Sequence, residues 1–548
     1  MEEILLNKTD KKIILLGNEA IVRGALESGV QFVSTYPGTP ASEIGDTFAR
    51  IANEAKIYFE YSVNEKVALE AGMGASFSGL KTLIAMKNFG LNVCLDALLP
   101  FCYTGSKGPT VIVVADDPSC HSSAQSEENT RALASLAHIP ILEPSDPQEC
   151  KDFVKLSFEI SEKFKIPVMI RTTTRVAHQR MPIKLGSINL GKPKPEGKFV
   201  KDKKRFVTMP PRVLEMKREL LEKVAKIKKI SENSKLNQVY IGQSSAKLKM
   251  GVITSGVSCL YVKEAMEELN LDLPILKLGF FHPLPEKKIE GFIKKFKKVL
   301  IVEELESYLE KEIKVLAKGV NPKLQIFGKD LLPEIGELKP DLVALALAKF
   351  AGKKYKKPSI ISAQLSIPKR FPQLCQGCPY WFVFGSIKKA VNPDNVVFGG
   401  DIGCYMLAGL PPHNIQDYLV CMGSSIGIAH GIKRVSSQKL ITLIGDSTFF
   451  HAGIPALINT VINKSNPLII VMDNQITAMT GHQPNPGVLS NETAVKIEDI
   501  VKACGVKNLK IIDPINQKQM IKTIKDFLKE KEVSVIVARR PCVFVKKR

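Results

Sequence analysis

The sequence predicts an α/β protein with two doubly wound domains and a smaller α/β domain between them. Three observations carry that reading. Over about Lys11–Val176, apolar strand-like runs (KIILLG, QFVSTYP, TVIVVAD, PVMIRT) alternate with helical stretches, including a run of small and apolar residues from Asn64 to Gly79. The alternation restarts over about Met250–Lys353, where MGVITSG, PILKLGF and KVLIVEE are each followed by a helical stretch. It returns over about Ile360–Arg548 with NVVFGGD, ITLIGD, PLIIVMDN and VSVIVARR. Apolar strands alternating with helices argue for parallel sheets covered on both faces. Between the first two stretches the pattern weakens and Pro and Lys become frequent (KPKPEGKFVKDKKRFVTMPPR), which reads as a linker holding one charged helix over about Val213–Ile230. The expected division is 1–180, a linker 181–249, a short domain 250–355 and a last domain 356–548.

The bulk numbers agree with a soluble globular protein of this build. A chain of 548 residues suits about three domains at roughly 100–200 residues each. The N-terminus, MEEILLNKTDKK, lacks the basic and apolar regions of a signal peptide, and no run of about 18 apolar residues occurs, so neither export nor a membrane span is expected. A cytoplasmic protein follows. The 11 cysteines, an odd number, argue against a disulfide framework and for free thiols or metal ligands. The net charge of +22 comes from Lys and Arg scattered along amphipathic helices such as Lys287–Lys298, and aromatic residues are 7%. Solvated lysine faces are the plain reading of this charge, an acidic protein partner or a polyphosphate ligand is the alternative, and nucleic acid is not expected.

The chemistry concentrates first in the last domain. A buried strand ends in Gly445-Asp446-Ser447 and runs into a helix; a second apolar strand, from Pro467 to Met472, ends in Asp473-Asn474, with Asn474 lying 28 residues beyond Asp446. Two parallel strands then deliver an Asp and an Asn to one carboxyl edge, where open α/β sheets bind ligands. Mg²⁺ takes hard oxygen ligands, one or two from protein and the rest from phosphate and water. Asp446 offers a carboxylate and Asn474 an amide oxygen, Gly445 allows close approach of the backbone, and the helix start after Ser447 offers N–H groups to an anion. A bland strand–turn–helix with an incidental Asp cap is the competing reading; spacing and the two strands favour the functional one.

This pattern resembles the signature of thiamine-diphosphate enzymes, Gly-Asp-Gly followed after about 25–30 residues by Asn-Asn or Asp-Asn, with Ser447 replacing one glycine. The resemblance implies thiamine diphosphate held through Mg²⁺, with the carbonyl of Ile476 as third protein ligand. It also implies a second unit carrying a glutamate that hydrogen-bonds the aminopyrimidine ring and favours ylid formation. The first domain offers Glu65 in the run from Glu60 to Ser76, at the start of a small-residue helix. Taken alone, Glu65 could equally favour its helix N-terminus or pair with a lysine.

Longer motifs narrow the resemblance. Tyr36-Pro37-Gly38-Thr39-Pro40 is similar to the Tyr-Pro-x-Thr-Pro loop of 2-oxoacid:ferredoxin oxidoreductases. Asn64-Glu65-Lys66, Asp116-Asp117-Pro118-Ser119 with His121-Ser122-Ser123, Cys375-Gln-Gly-Cys378-Pro379, Gly400-Asp401-Ile-Gly403-Cys404-Tyr405, the stretch Gly445–His451, the stretch Met479–Gly487 and the terminal Pro541-Cys542 all resemble the alpha subunits of indolepyruvate:ferredoxin oxidoreductases. The resemblance covers nearly the whole chain, the linker least. It implies oxidative decarboxylation of an arylpyruvate, with coenzyme A as acyl acceptor, ferredoxin as electron acceptor and a smaller beta subunit as partner. It implies substrate contact by Thr39, near the carboxylate or carbonyl, although a threonine there could also be a plain turn residue. His451 and His121 are candidates for acid–base work near the thiamine, or for structural hydrogen bonding.

By the same resemblance, Cys375, Cys378, Cys404 and Cys542 are the four thiolates of one 4Fe–4S cluster. The Cys-x-x-Cys pair alone is also compatible with zinc or a redox dithiol. Cys94, Cys102, Cys120, Cys150, Cys259, Cys421 and Cys504 read as ordinary thiols. Two features depart from the family. Tyr380-Trp381 stands where His-Arg is usual, and the family's ferredoxin-like tail, with eight cysteines in two Cys-x-x-Cys-x-x-Cys runs, has no counterpart in the sequence. Electrons are therefore expected to leave through a separate ferredoxin-like subunit or directly from the one cluster. The alternative is a non-oxidative thiamine-dependent 2-oxoacid decarboxylase with no redox step.

Overall fold

The computed structural model describes residues 2–188, 196–241, 249–355, 372–488 and 494–545. The chain divides into two compact units, 1–361 and 362–548. The fold is α/β throughout, and its sheets are mostly parallel.

In the first unit a seven-stranded sheet runs in the order Phe280–His282, Ile141–Leu142, Val168–Thr173, Thr110–Asp116, Thr82–Lys87, Phe32–Thr35, Tyr58–Tyr61. Every pairing is parallel except the first. Its central strands, Thr82–Lys87, Thr110–Asp116 and Val168–Thr173, are buried at every position, as strands covered on both faces should be. A five-stranded sheet follows in the order Gln325–Phe327, Lys298–Val302, Met250–Thr254, Ile275–Leu278, Asn237–Tyr240. Part of the stretch read as linker is ordered: it supplies the edge strand Asn237–Tyr240, the long helix Arg212–Asn233 and the strand Arg180–Lys184, which pairs antiparallel with Lys12–Leu16. The two large sheets share one hydrophobic core. They also share a run of chain: after Ile275–Leu278 the backbone passes Gly279 and enters the other sheet as Phe280–His282.

Between these two sheets lies a buried ionic seam. Arg131 binds Glu143 in bidentate fashion (2.7 Å each) and reaches Glu303 at 3.1 Å, while its guanidinium stacks over Phe281 at 4.3 Å. Arg171 binds Asp116 at 2.7 Å and lies 3.4 Å from Glu143. Glu304 is buried beside this seam and accepts the Leu338 N–H at 3.2 Å. Burial pushes its carboxyl up to about 7, against the pull of Arg171. A carboxyl raised on folding takes up a proton between the ordinary glutamate range and about 7, so its contribution to stability is present at low pH and is lost as pH rises through about 7. Glu304→Gln keeps an oxygen for Leu338 and removes the titration. It is expected to flatten the fall in stability between about pH 5 and about pH 8 in denaturant melts; an unchanged pH profile would assign that fall elsewhere.

The second unit is a wholly parallel sheet in the order Val396–Gly399, Lys439–Gly445, Leu468–Asp473, Ser534–Arg539, Asn508–Ile512. Alternate residues feed opposite faces. Ile441, Leu443, Ile470 and Met472 join one core with helix Tyr380–Ala390, whereas Ile444, Ile469 and Val471 join the other with helix Ile454–Ile462.

Candidate functional site

The carboxyl ends of four neighbouring parallel strands in the second unit bring their next residues to one edge. Gly399 leads to Asp401, Gly445 to Asp446, Asp473 to Asn474, and Arg539 to Cys542. Asp446 is 4% exposed. Its carboxylate accepts the Ser447 N–H at 2.8 Å and the Asn485 side-chain amide at 3.0 Å. Burial pushes it up to about 7, and the nearby charge of Asp473 pushes the same way. Asn474 is buried, and its side-chain oxygen accepts the Ile476 N–H at 3.2 Å. Between them Gln475 adopts a left-handed φ of 62°, which turns the chain toward Ile476. Asp473 is braced by Arg539 at 2.6 Å, and Arg539 is held in turn by Glu498. A buried carboxylate and an amide oxygen on adjacent strand ends form a donor set of the kind Mg²⁺ takes, and a cation there would relieve the cost of ionising Asp446.

The surroundings differ in detail from the sequence expectation. Gly445 gives room to a side chain: a Cβ there would stand 2.6 Å from the Tyr405 ring. Tyr405 donates to the Ile402 carbonyl at 2.7 Å, and Thr448 donates to the same carbonyl at 3.0 Å. The helix begins at Asp446 itself, so the Ser447 N–H is spent on the Asp446 carboxylate. The Ser447 hydroxyl lies 3.0 Å from that of Thr477. His451 is buried in a π-helical turn, Phe449–Gly453, of a type often found at functional sites.

The four predicted cluster cysteines line one cavity of about 110 Å³, together with Asn474 and His482. Gly377, at φ 77°, turns the chain so that Cys378 N–H meets the Cys375 carbonyl at 3.1 Å. The Cys542 N–H bonds the Asn474 carbonyl at 3.0 Å, tying the last cysteine to the diphosphate motif. Burial pushes the thiols of Cys378 and Cys404 up to about 11, and the other cysteines of the group add to the shift. As placed, no three His, Cys, Asp or Glu side chains among the described residues are set to hold a metal ion. Tyr380, in the departing pair, donates to the Met472 carbonyl at 3.3 Å, and Trp381 packs on His413. Of the remaining cysteines, Cys94, Cys102, Cys150 and Cys259 are buried.

In the first unit Glu65 opens the helix Glu65–Phe77, whose N-cap, Asn64, accepts the Val67 N–H at 2.9 Å. Glu65 is 6% exposed and lies against the turn that starts the next helix: a Cβ on Gly90 would meet Glu65 Cγ at 2.5 Å. Thr39 stands in the loop after strand Phe32–Thr35, the parallel neighbour of the strand preceding Glu65. Its hydroxyl is 3.5 Å from that of Ser42, and the next peptide bond, Thr39–Pro40, is cis. His121 is half exposed, 3.4 Å from Glu337, on a cavity of about 520 Å³ that Arg175, His178 and Tyr261 also line.

Two residues of the second edge escaped the sequence reading although both sit in quoted motifs. Asn485 holds Asp446, and Asp401, buried and pushed up to about 6 by burial, accepts N–H groups of Ile402, Gly423 and Ser425. Their roles are long-range hydrogen bonds, for which local sequence carries no signal. No helix among the described residues is long and apolar enough to cross a membrane.

Comparison with known proteins agrees with this layout. The family described as pyruvate flavodoxin/ferredoxin oxidoreductase, thiamine diphosphate-binding, matches residues 23–236, and the C-terminal TPP-binding domain of thiamine pyrophosphate enzymes matches residues 401–538. The chain is 43% identical to indolepyruvate oxidoreductase subunit IorA of Methanothermobacter thermautotrophicus, over 99% of this chain and 89% of that protein. The same subunit of Pyrococcus horikoshii is 43% identical, over 98% and 87%, and that of Archaeoglobus fulgidus 39%, over 100% and 89%. Among solved structures, the 2-oxoglutarate:ferredoxin oxidoreductase of Magnetococcus marinus, with 2-oxoglutarate, coenzyme A and succinyl-CoA bound, shares the fold: TM-score 0.50 at 18% identity, covering 63% of this chain and 66% of that one. With thiamine-diphosphate-binding folds in both units and this level of identity along nearly its whole length, the chain belongs to the indolepyruvate oxidoreductase subunit IorA family.

Proposed function

We propose that this chain is the catalytic subunit of a ferredoxin-dependent oxidoreductase that decarboxylates arylpyruvates of the indolepyruvate type and passes the acyl group to coenzyme A. The observation that supports this best is that Asn474, on the strand end beside Asp446, lines the cavity of Cys375, Cys378, Cys404 and Cys542. A hard-cation site for a diphosphate thus adjoins four thiols. Thiamine diphosphate, when bound, supplies the nucleophile for the oxo carbon and the sink for the electrons left after CO₂ departs.

The chain's own residues have the following proposed parts. Asp446, Asn474 and the Ile476 carbonyl are the Mg²⁺ ligands, and Gly445 and Ser447 complete the diphosphate cradle. Glu65 hydrogen-bonds the aminopyrimidine ring and keeps its proton where the imino form is favoured. Thr39 contacts the substrate near its carboxylate or carbonyl. His451 and His121 remain the acid–base candidates, the first within the helix that Asp446 starts. The four cysteines hold one 4Fe–4S cluster; because burial holds Cys378 and Cys404 as thiols, loading would release their protons. A smaller beta subunit, ferredoxin and coenzyme A are the proposed partners, with a separate ferredoxin-like subunit as one exit for the electrons and cytoplasm as the compartment. The four-cysteine cavity and the names of the relatives favour this over a plain decarboxylase.

Protein purified without oxygen is expected to be brown and to contain iron and acid-labile sulfide in equal amounts, about four of each per chain. Iron and sulfide near zero, with CO₂ still released from an arylpyruvate, would sink the redox assignment.

A further inference from the structure

The turn that packs against Glu65 also carries a buried cation, Lys87, whose one close carboxylate, Asp117, is shared with three other donors. Lys87 ends the central strand Thr82–Lys87 and N-caps the helix Asn88–Thr104, which contains Gly90, the packing partner of Glu65. Its two neighbouring strands deliver the other loops of this edge. Phe32–Thr35 leads into the loop of Gly38 and Thr39, and Thr110–Asp116, in register with Lys87 through Ala115, leads into Asp117–Ser122. The Lys87 stem runs along Gly38 so closely that a Cβ on Gly38 would stand 2.9 Å from Lys87 Cβ.

Lys87 is 8% exposed. An ammonium has three protons to donate. Here one acceptor lies at hydrogen-bond distance, the Ser122 carbonyl at 2.8 Å, and Asp117 stands off at 3.6 Å. Asp117 is already committed: its two oxygens take the Ser122 N–H, the Ser123 hydroxyl and the Thr174 hydroxyl at 2.6–2.8 Å. The Phe89 ring, 5.1 Å from the ammonium, covers another side. Burial pushes the Lys87 pKa down, with Asp117 opposing. Burial outweighs the Asp117 ion pair and the Ser122 carbonyl together, and groups held this way cluster where a ligand completes them.

We propose that Lys87 is the cation that receives the carboxylate of the 2-oxoacid, beside Thr39 and on the turn that packs against Glu65. The proposal rests on the 2-oxoacid reading above. A carboxylate paired with Lys87 stays paired until the carbon–carbon bond breaks, so the contact holds the bound substrate and the path toward the transition state about equally. Its loss therefore raises KM and leaves kcat near its starting value.

The test uses Lys87→Met, Lys87→Gln and Lys87→Arg in the oxygen-free purified complex, with phenylpyruvate as substrate, neutral phenylpyruvamide as competing ligand, and thiamine diphosphate affinity and melting temperature as controls. We expect Met and Gln to raise the KM for phenylpyruvate roughly 10- to 100-fold, the usual range for a hydrogen bond to a charged group. The Ki for phenylpyruvamide and the thiamine diphosphate affinity should stay near wild type, and Arg should restore most of the KM. An unchanged KM in Lys87→Gln, or a KM and Ki that rise together, overturns the proposal: Lys87 then only ties the 117–122 loop to its strand. If Lys87→Met fails to fold, Lys87→Arg and Lys87→Gln still decide, through charge retained against charge lost. A wild-type complex that turns over no 2-oxoacid overturns the proposed function itself, and is told apart because it fails before any substitution is made.

Discussion

Replacing Glu65 by Gln is expected to slow arylpyruvate decarboxylation by roughly 10²- to 10⁴-fold, the range for loss of a positioned acid–base group, while thiamine diphosphate still binds. The substitution is nearly isosteric, which matters because Glu65 is buried and its Cγ fills the space beside Gly90. Asn64 keeps its bond to the Val67 N–H, so the helix start is preserved. What is lost is the carboxylate proposed above as the partner of the aminopyrimidine. Steady-state CO₂ release and thiamine diphosphate binding, measured on the same preparation, check it. Undiminished turnover would remove Glu65 from the chemistry, and lost cofactor binding would make its role one of affinity.

The second large effect is on stability. Arg131→Met is expected to cost on the order of 3–5 kcal/mol, because it strips the counter-charge from buried carboxylates. Arg131 is 2% exposed, and Glu143 and Glu303 are 1% exposed. Arg171 remains 3.4 Å from Glu143 and softens the loss there. Glu303 keeps the N–H groups of Leu309 and Glu310 at 2.9 Å but no longer has a guanidinium at 3.1 Å. The Phe281 ring also loses its cationic cover. Denaturant unfolding measures the cost, and a loss below about 1 kcal/mol, the size of an ordinary substitution, would mean that the seam relaxes around the gap.

The central strands were legible because strands buried on both faces are written as unbroken apolar runs. ITLIGD became Lys439–Gly445 and PLIIVMDN became Leu468–Asp473, so the spacing of Asp446 and Asn474 could be turned into one sheet edge. The edge strands were not legible. Asn237–Tyr240 is short and half exposed, and its partner lies 35 or more residues away, which local pattern cannot encode. PILKLGF read as one strand, yet the chain divides at Gly279 between two sheets. That position is tight, since a Cβ there would stand 2.9 Å from the Leu236 carbonyl oxygen. At the site, chemistry-bearing residues with a fixed spacing were readable, and supporting ones were not. Asn485, Asp401 and Lys87 are ordinary polar residues until folding brings their partners to them. Gly445 was read as the place where the backbone approaches a phosphate, whereas the structure packs the Tyr405 ring against it.

The passage of one chain segment through both sheets of the first unit bears on how such a protein can be inherited. Phe280–His282 closes the edge of a sheet whose other strands all come from residues before 174. A gene break anywhere between those strands and Phe280 would leave Ile141–Leu142 as a bare edge open to pairing with other chains. It would also part Arg131 from Glu303. The two sheets of the first unit are therefore expected to be transmitted, fused and rearranged as a single block, however freely other segments are gained or shed around them.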